Sequence, residues 1–481
     1  MTIHGQNYID GHWVPANSGA TFERRNPADR AEVIGIFPLS DASDVDAAVT
    51  SLAQAAPAWA ATAPERRAAI LEATAAHLEQ HAETLIDELV REEGKTVAEA
   101  TMEVTRTPMN FRYYAAEALR TTGSTYPSPG EGLVMTLREP VGIVGAITPW
   151  NFPLNIPSRK LGPALAAGNV VLFKPSELTP LMGQRLVEAL LAAGLPANAI
   201  ALVQGDGAAG SAVTSDDRVD AITFTGSTQV GRIIHAAVGP SRRSQLEMGG
   251  KNPVVVLGDA DLDKAAALIV KGAFGLSGQA CTGTSRVLAV DAVHDALLDK
   301  VVELAAKIVV GPGIDKSSGM GALASEDQYR KVLDYIRIGI DEGAELITGG
   351  KSLDDGGAGY FVAPTVFAGG TVDMRIAVEE IFGPVLLFIR ADDFEHALEL
   401  ANDTEFGLSS AIVTSDIGRA LAFARRSRTG LIKINQPTTG MNMNVPFGGY
   451  KASSTQTNKE QAGESMMAFY QSEKTVYLAG S

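Results

Sequence analysis

The chain holds a single cysteine, Cys281, among 481 residues. With no second thiol, no intrachain disulfide can form, so a disulfide-stapled secreted scaffold is excluded and a reducing compartment is expected. Positive charge is also short: 40 Lys and Arg stand against 56 Asp and Glu, a formal net charge of −16. A field of that sign repels nucleic acid and anionic lipid, so neither is expected as a partner, although a local cleft can reverse it for a small anion. Long hydrophobic runs are missing. The most apolar one, residues 161–173, is interrupted by Gly, Pro and Asn and stops at Lys174, too short to cross a bilayer as a helix. The opening Met1-Thr-Ile-His-Gly-Gln leads no basic region into an apolar stretch, and a cytoplasmic location is expected. No H-E-x-x-H, paired Cys, G-x-S-x-G or Walker A pattern occurs, so zinc-hydrolase, serine-hydrolase and P-loop chemistries lose their support.

What is there is a globular composition, 45% hydrophobic and 20% charged, on a chain long enough for two or three domains. Residues 41–120 read as helical, with Ser43-Asp-Val-Asp and Pro64-Glu-Arg-Arg as acidic helix openings. From Val141 short β-branched runs alternate with helical patterns, which predicts parallel strands joined by crossover helices, a doubly wound α/β sheet. A second alternating series begins at Pro253-Val-Val-Val-Leu, with the Gly249-Gly250 pair before it as the domain junction. Residues 121–140 and the tail beyond about Thr455 fit neither series. They read as extended, exposed strands that need another subunit to pair with.

Two patterns tempt and are set aside. Gly205-Asp-Gly207-Ala-Ala-Gly210 fits the G-x-G-x-x-G dinucleotide fingerprint after a predicted strand, but no Asp or Glu lies between Asp220 and Glu247 to hold a ribose. His77 and His81 stand four apart on a predicted helix without a third ligand, which fits a solvated face better than a metal site.

The lone cysteine sits in Phe274-Gly-Leu-Ser-Gly-Gln-Ala-Cys281-Thr-Gly-Thr-Ser-Arg286. By default a free cysteine is a small buried hydrophobe. Small and polar neighbours here leave the sulfur accessible and let a ligand approach the backbone. A nucleophilic thiol also needs a base, and Glu247 in Gln245-Leu-Glu247-Met-Gly-Gly can project a carboxylate into an inter-domain cleft. A buried edge carboxylate in an ion pair is the plainer alternative.

These residues resemble the aldehyde dehydrogenase superfamily, along nearly the whole chain. The resemblance rests on Thr148-Pro-Trp-Asn151-Phe-Pro, Phe173-Lys174-Pro-Ser-Glu177-Leu-Thr-Pro, Phe224-Thr-Gly226-Ser227-Thr, Leu246-Glu247-Met-Gly-Gly-Lys-Asn-Pro, Gly278-Gln-Ala-Cys281, Glu379-Glu380-Ile-Phe382-Gly-Pro and Pro446-Phe-Gly-Gly-Tyr-Lys, in order and centred on the only cysteine. It implies two doubly wound α/β domains plus a β oligomerisation arm. Residues 1–120 and 141–249 would bind NAD(P), 250–445 would carry the cysteine, and 121–140 with 455–481 would form the arm of a homodimer or homotetramer.

The resemblance also implies roles. Cys281 would attack an aldehyde carbonyl, the Asn151 amide and the Cys281 N–H would hold the oxyanion, Glu247 would activate the water that hydrolyses the thioester, and Glu464 would relay protons. Trp150, Lys174, Ser176, Glu177, Gly226, Ser227, Glu380 and Phe382 would contact the cofactor. Gly226-Ser227 would open the helix that meets pyrophosphate, and Glu177 would accept from the ribose hydroxyls. That favours NAD, with NADP possible through Lys174 and Ser176.

For the substrate, Arg159 matches the arginine that binds a distal carboxylate in semialdehyde members. The second arginine of succinic semialdehyde enzymes is absent, since those positions read Gly275-Leu-Ser-Gly. Asn435-Gln-Pro-Thr438-Thr439-Gly and Lys451-Ala-Ser-Ser look like the 2-oxoglutarate semialdehyde (2,5-dioxopentanoate) dehydrogenase group, with Thr438 and Thr439 offering hydroxyls to a polar substrate tail. The rivals are oxidation of uncharged, aromatic or sugar-derived aldehydes with Arg159 structural, succinate semialdehyde oxidation, coenzyme-A acylation and a catalytically idle scaffold. Glu247 argues against the acylating reading, and the presence of Cys281, Glu247 and Asn151 against the idle one.

Overall fold

Runs of Val, Ile and Leu buried on both faces need cover on both sides, which is the condition for parallel strands under helices. The computed structural model, which describes residues 2–128, 132–353, 357–455 and 463–479, has two such sheets of seven strands. In the first, the spatial order is Arg243–Glu247, Ala221–Thr225, Ile143–Ile147, Val170–Lys174, Ile200–Leu202, Asn7–Ile9, His12–Val14. The first five run parallel. The two N-terminal strands close the edge antiparallel, so the sheet is mixed. From Ile143–Ile147 the chain first builds outward on one flank, then returns to place Ala221–Thr225 on the other. That reversal opens a crevice beyond the carboxyl ends of these two strands, where ligands bind in open α/β sheets.

Helices Ala42–Ala60, Pro64–Gln80, Ala82–Glu93 and Val97–Ala118 cover this sheet, together with the crossover helices. Two of them start at capping boxes, Asp41 with Asp44 and Thr96 with Glu99, each satisfying orphan N–H groups reciprocally. Fully buried Phe37, Leu52, Val144, Leu172, Phe173 and Leu186 fill the core between the layers.

Gly249-Gly250 lies between the last strand of this sheet and the first of the second. The second order is Glu345–Thr348, Thr365–Ala368, Val385–Ala391, Thr284–Val290, Asn252–Val256, Ser409–Val413, Leu431–Ile434, all parallel except the antiparallel edge strand Glu345–Thr348.

The two extended segments do not wait for another subunit. Gln471–Leu478 pairs antiparallel with Leu133–Pro140 over eight registered positions, and Thr125–Tyr126 adds a third strand. Segments more than 300 residues apart thus satisfy each other's backbone, which no local pattern announces. Among the described residues, no helix is long and apolar enough to cross a membrane.

Candidate active site

Cys281 stands between two structures that fix its backbone. Before it, the short helix Gly275–Gly278 carries Leu276 and Ser277 in left-handed conformations, φ 54° and 55°. Such conformations persist only where the surroundings impose them. Here the Leu276 N–H donates to Glu99 Oε1 (2.5 Å) and the Ser277 hydroxyl to the Gly321 carbonyl (2.9 Å). Gly278 follows at φ +71°, and a Cβ there would sit 2.1 Å from the Gly383 carbonyl. After Cys281, strand Thr284–Val290 begins, and Asn252 Nδ2 donates to the Cys281 carbonyl at 2.8 Å. The cysteine is partly exposed.

Asn151 follows the carboxyl end of Ile143–Ile147, the strand at the reversal. Its side chain is 3% exposed, and its amide donates to the Gln279 carbonyl at 2.9 Å, two residues before the cysteine. The loop is held from below by a buried charge cluster. Lys95, fully buried, donates to the Asn151 carbonyl (2.8 Å) and to Glu103 (2.6 Å). The other Glu103 oxygen accepts the N–H groups of Leu154 and Asn155 (2.9 and 3.1 Å), capping helix Asn155–Ala166. Burial alone would lower Lys95, but Glu103 and Glu93 outweigh it and hold the ammonium above its ordinary value. Burial pushes Glu93 up to about 7 against the pull of Lys95.

Cys281 and Asn151 share one cleft of about 150 Å³ with Trp150, Thr225, Gly226, Ser227, Gly249, Glu380 and Phe382. Seven of the residues singled out in the sequence, Trp150 among them, thus converge there. The Trp150 and Phe382 rings meet edge-on at 5.4 Å. Phe382 is left-handed, φ 60°, and Gln328 Nε2 holds it by donating to the carbonyls of Ile381 and Phe382 (3.0 and 2.7 Å). Glu380 accepts the Gly250 N–H at 3.0 Å, and a Cβ at 249 would sit 2.1 Å from its carboxylate as it stands. Burial pushes the Glu380 carboxyl up, with Gly250, Lys331 and Lys251 opposing. Ser227 caps helix Thr228–Val238 by accepting the Val230 N–H, which leaves the helix N-terminus at the cleft.

Other expected residues lie outside the residues lining this cleft. Lys174 ends its own strand, where burial lowers its ammonium despite Glu177 at 3.6 Å; the Ser176 hydroxyl also donates to Glu177, whose side chain is half exposed. Glu247 faces Gly449 and Ser454. Arg159, 4% exposed, lies one helical turn beyond the cleft-lining Ile156, on the same helix face. Its guanidinium donates to the Met441 sulfur (3.2 Å) and lies 5.7 Å from the Phe447 ring centre.

Thr438 departs from expectation. It is fully buried, its hydroxyl pairs with that of Thr284 at 2.8 Å, and its carbonyl accepts from Ser409. That hydroxyl is engaged with the strand following Cys281; Thr439 beside it is half-buried. The Glu464 side chain lies outside the described residues.

The G-x-G-x-x-G stretch sits two strands away from the reversal. There Gly205 packs against the Ser40 backbone and Asp206 caps helix Gly207–Ser215. His77 and His81 stack at 4.1 Å, and His81 Nδ1 meets the His77 carbonyl. Gln328 and Lys331 line the cleft but carried no signal in the sequence, because they come from a helix with no motif. Lys95 and Glu103 were equally silent there, as ordinary members of a helical pattern.

The sequence profile described as the aldehyde dehydrogenase family matches residues 13–476. The chain belongs to this family. The aldehyde dehydrogenase is 42% identical over 477 residues to the alpha-ketoglutaric semialdehyde dehydrogenase of Bacillus subtilis (strain 168), covering 98% of this chain and 97% of that protein. It is 43% identical over 470 residues to the 2,5-dioxopentanoate dehydrogenase of Saccharolobus solfataricus, with 97% of each covered. Its fold superposes on the crystal structure of an NAD-dependent aldehyde dehydrogenase from Sinorhizobium meliloti with a TM-score of 0.96, at 37% identity and over 99% of this chain and 95% of that one. A betaine aldehyde dehydrogenase from Staphylococcus aureus, solved in complex with NAD+, gives a TM-score of 0.95 at 31% identity, over 98% and 94%.

Proposed function

We propose that this aldehyde dehydrogenase oxidises 2,5-dioxopentanoate, or a closely similar carboxylated semialdehyde, to the acid with NAD as the preferred cofactor. The observation that carries the substrate class is Arg159, a buried guanidinium one turn beyond a cleft residue and beside Met441 and Phe447. A fixed guanidinium pairs with a carboxylate bidentately, which suits a substrate carrying a distal acid. The names borne by the Bacillus and Saccharolobus relatives support the same choice.

The chemistry follows from the residues around Cys281. Its thiolate adds to the aldehyde carbonyl, and the new oxyanion is received by the Cys281 N–H and the Asn151 amide. An amide nitrogen carries two N–H groups, one of them engaged by Gln279 here, so the second is available. One such donor is worth roughly 3–4 kcal/mol in the transition state.

A nicotinamide dinucleotide, when bound, supplies the hydride acceptor. The residues present fit one: Trp150, Glu380 and Phe382 wall the cleft near the cysteine, Gly226 and Ser227 offer a helix N-terminus to pyrophosphate, and Lys174, Ser176 and Glu177 stand for the adenosine ribose. The half-exposed Glu177 carboxylate suits ribose hydroxyls and repels a 2′-phosphate. After oxidation Glu247 takes a proton from water, hydroxide adds to the thioester carbonyl, the C–S bond breaks, and the acid leaves. Glu464 serves as the proton relay.

The domain roles follow: residues 1–120 and 141–249 bind cofactor, 250–445 carry the cysteine, and 121–140 with 455–481 form an arm that joins a homodimer or homotetramer. Exposed Tyr126, Leu133, Leu137 and Tyr477 on the three-stranded sheet support that last assignment. A cytoplasmic site suits a lone reactive thiol.

The deciding experiment follows reduced-nicotinamide absorbance with 2,5-dioxopentanoate, succinate semialdehyde, benzaldehyde, glyceraldehyde and propanal, using NAD or NADP, with and without coenzyme A. The reading expects the highest kcat/KM with 2,5-dioxopentanoate and NAD, no need for coenzyme A, and no turnover in Cys281→Ala. Preference for an uncharged aldehyde, or strong preference for NADP, refutes the corresponding part.

A further inference from the structure

We propose that Ser454 is a positioning residue for Glu247: its hydroxyl and the Gly449 N–H hold the carboxylate in a resting position, which Glu247 leaves to activate water for hydrolysis of the acyl-enzyme. The inference rests on the reading of Glu247 as that base. Glu247 is the last residue of strand Arg243–Glu247 and is 1% exposed. Met248 and Gly249 after it line the cleft with Cys281, whereas Glu247 does not. The alternation of a strand turns its side chain away from that of Met248. The Ser454 hydroxyl donates to Glu247 Oε1 at 3.1 Å and the Gly449 N–H to Oε2 at 3.3 Å.

The backbone behind Ser454 is independently fixed. Glu247 and Ser454 form an antiparallel bridge, and the Met248 N–H donates to the Ser453 carbonyl at 2.9 Å. The Ser453 hydroxyl donates to the Gly249 carbonyl (2.7 Å) and accepts the Gly407 N–H (3.0 Å). Ser454 therefore contributes a hydroxyl to a frame that Ser453 and the main chain already hold. A hydroxyl-to-carboxylate hydrogen bond is charge-assisted, and at 3.1 Å this one is longer than the strongest of its kind, so it can be given up. In the hydrolytic step water gives its proton to Glu247, the hydroxide oxygen bonds to the thioester carbon, and the Cys281 sulfur departs as thiolate. Each excursion of Glu247 toward that water gives up the Ser454 hydrogen bond together with that of Gly449, so Ser454 contributes to how often the base is in place.

The test uses the full-length enzyme with NAD and 2,5-dioxopentanoate in rapid-quench experiments. The burst of reduced nicotinamide reports hydride transfer, and intact mass of the quenched protein reports decay of the acyl-enzyme. In Ser454→Ala the burst rate and amplitude stay at wild-type values while acyl-enzyme decay accelerates about tenfold, since one hydrogen bond to a charged group is lost from the resting state. Ser454→Thr, which keeps a hydroxyl, returns decay to the wild-type rate. Ser454→Gly gives a second truncation with the same expected acceleration should the alanine variant fold poorly. Unchanged or slower decay in the truncations overturns the proposal.

Glu247→Gln separates the two levels. If it retains the burst and stalls at the acyl-enzyme while Ser454→Ala is unaltered, only the positioning role falls. If Glu247→Gln hydrolyses the acyl-enzyme at the wild-type rate, Glu247 is not the base and the Ser454 proposal falls with it.

Discussion

Replacing Lys95 by Met separates a structural from a catalytic consequence of one buried contact. The Lys95 ammonium is fully buried, 2.6 Å from Glu103 and 2.8 Å from the Asn151 carbonyl. Methionine keeps the length of the stem and removes the charge. Glu103 is then left buried without its cation, a change that typically costs about 3–5 kcal/mol. The Asn151 carbonyl loses a donor, worth about 1–3 kcal/mol more. Thermal unfolding should therefore shift down by several degrees. The catalytic effect has a different origin. Glu103 would still meet the N–H groups of Leu154 and Asn155, but the loop carrying Asn151 is no longer tied at residue 151, and misplacement of an oxyanion donor by about 1 Å can cost 10²-fold in rate.

The expected result is thus a fall in kcat of about 10²-fold with little change in KM for NAD. The double variant Lys95→Met/Glu103→Gln, which removes both charges, should regain much of the stability and little of the rate. Steady-state kinetics and melting curves on the same preparations provide the comparison. If the double variant regains kcat along with its melting temperature, or if Lys95→Met loses stability and keeps kcat, the idea that this cluster positions Asn151 is wrong.

Arg159→Ala should raise KM for 2,5-dioxopentanoate about 10–100-fold while leaving propanal nearly unaffected, as expected for a lost charge-assisted pair; equal effects on both aldehydes would make Arg159 structural. Glu177→Ala should raise kcat/KM for NADP relative to NAD by about tenfold, by removing a carboxylate from beside a 2′-phosphate while leaving Lys174 and Ser176; an unchanged ratio places the selectivity elsewhere. Glu93 has a folded-state value near 7, above the ordinary 4.5, because of burial. Its contribution to stability is therefore complete below about 4.5 and lost as pH rises through about 7. Melting temperatures measured from pH 5 to 8 should decline more steeply for wild type than for Glu93→Gln, and parallel curves would contradict the burial of that proton.

The residues that the sequence made legible are those whose chemistry is local. A glycine, a proline and an aromatic must sit at fixed offsets from Asn151, Glu380 or Cys281 because one loop has to turn, cap a helix and aim a side chain within a few residues. Such constraints print themselves as motifs, and the alternation of β-branched runs with amphipathic segments prints the two α/β sheets in the same way. The lone cysteine, informative by itself only about redox compartment, lines the cleft.

What tertiary structure alone decided depends on partners far apart in the chain. The Thr438 hydroxyl pairs with that of Thr284, 154 residues away. The edge segments looked like orphans until Gln471–Leu478 met Leu133–Pro140. Gln328, which sustains the left-handed Phe382, and Lys95, which holds Asn151, have no sequence neighbours that would distinguish them. A buried polar group must find a partner, but the energy of that bond depends on distance in space and not along the chain. Sequence therefore pointed to the groups proposed to carry the chemistry, and folding determined which others hold them in place.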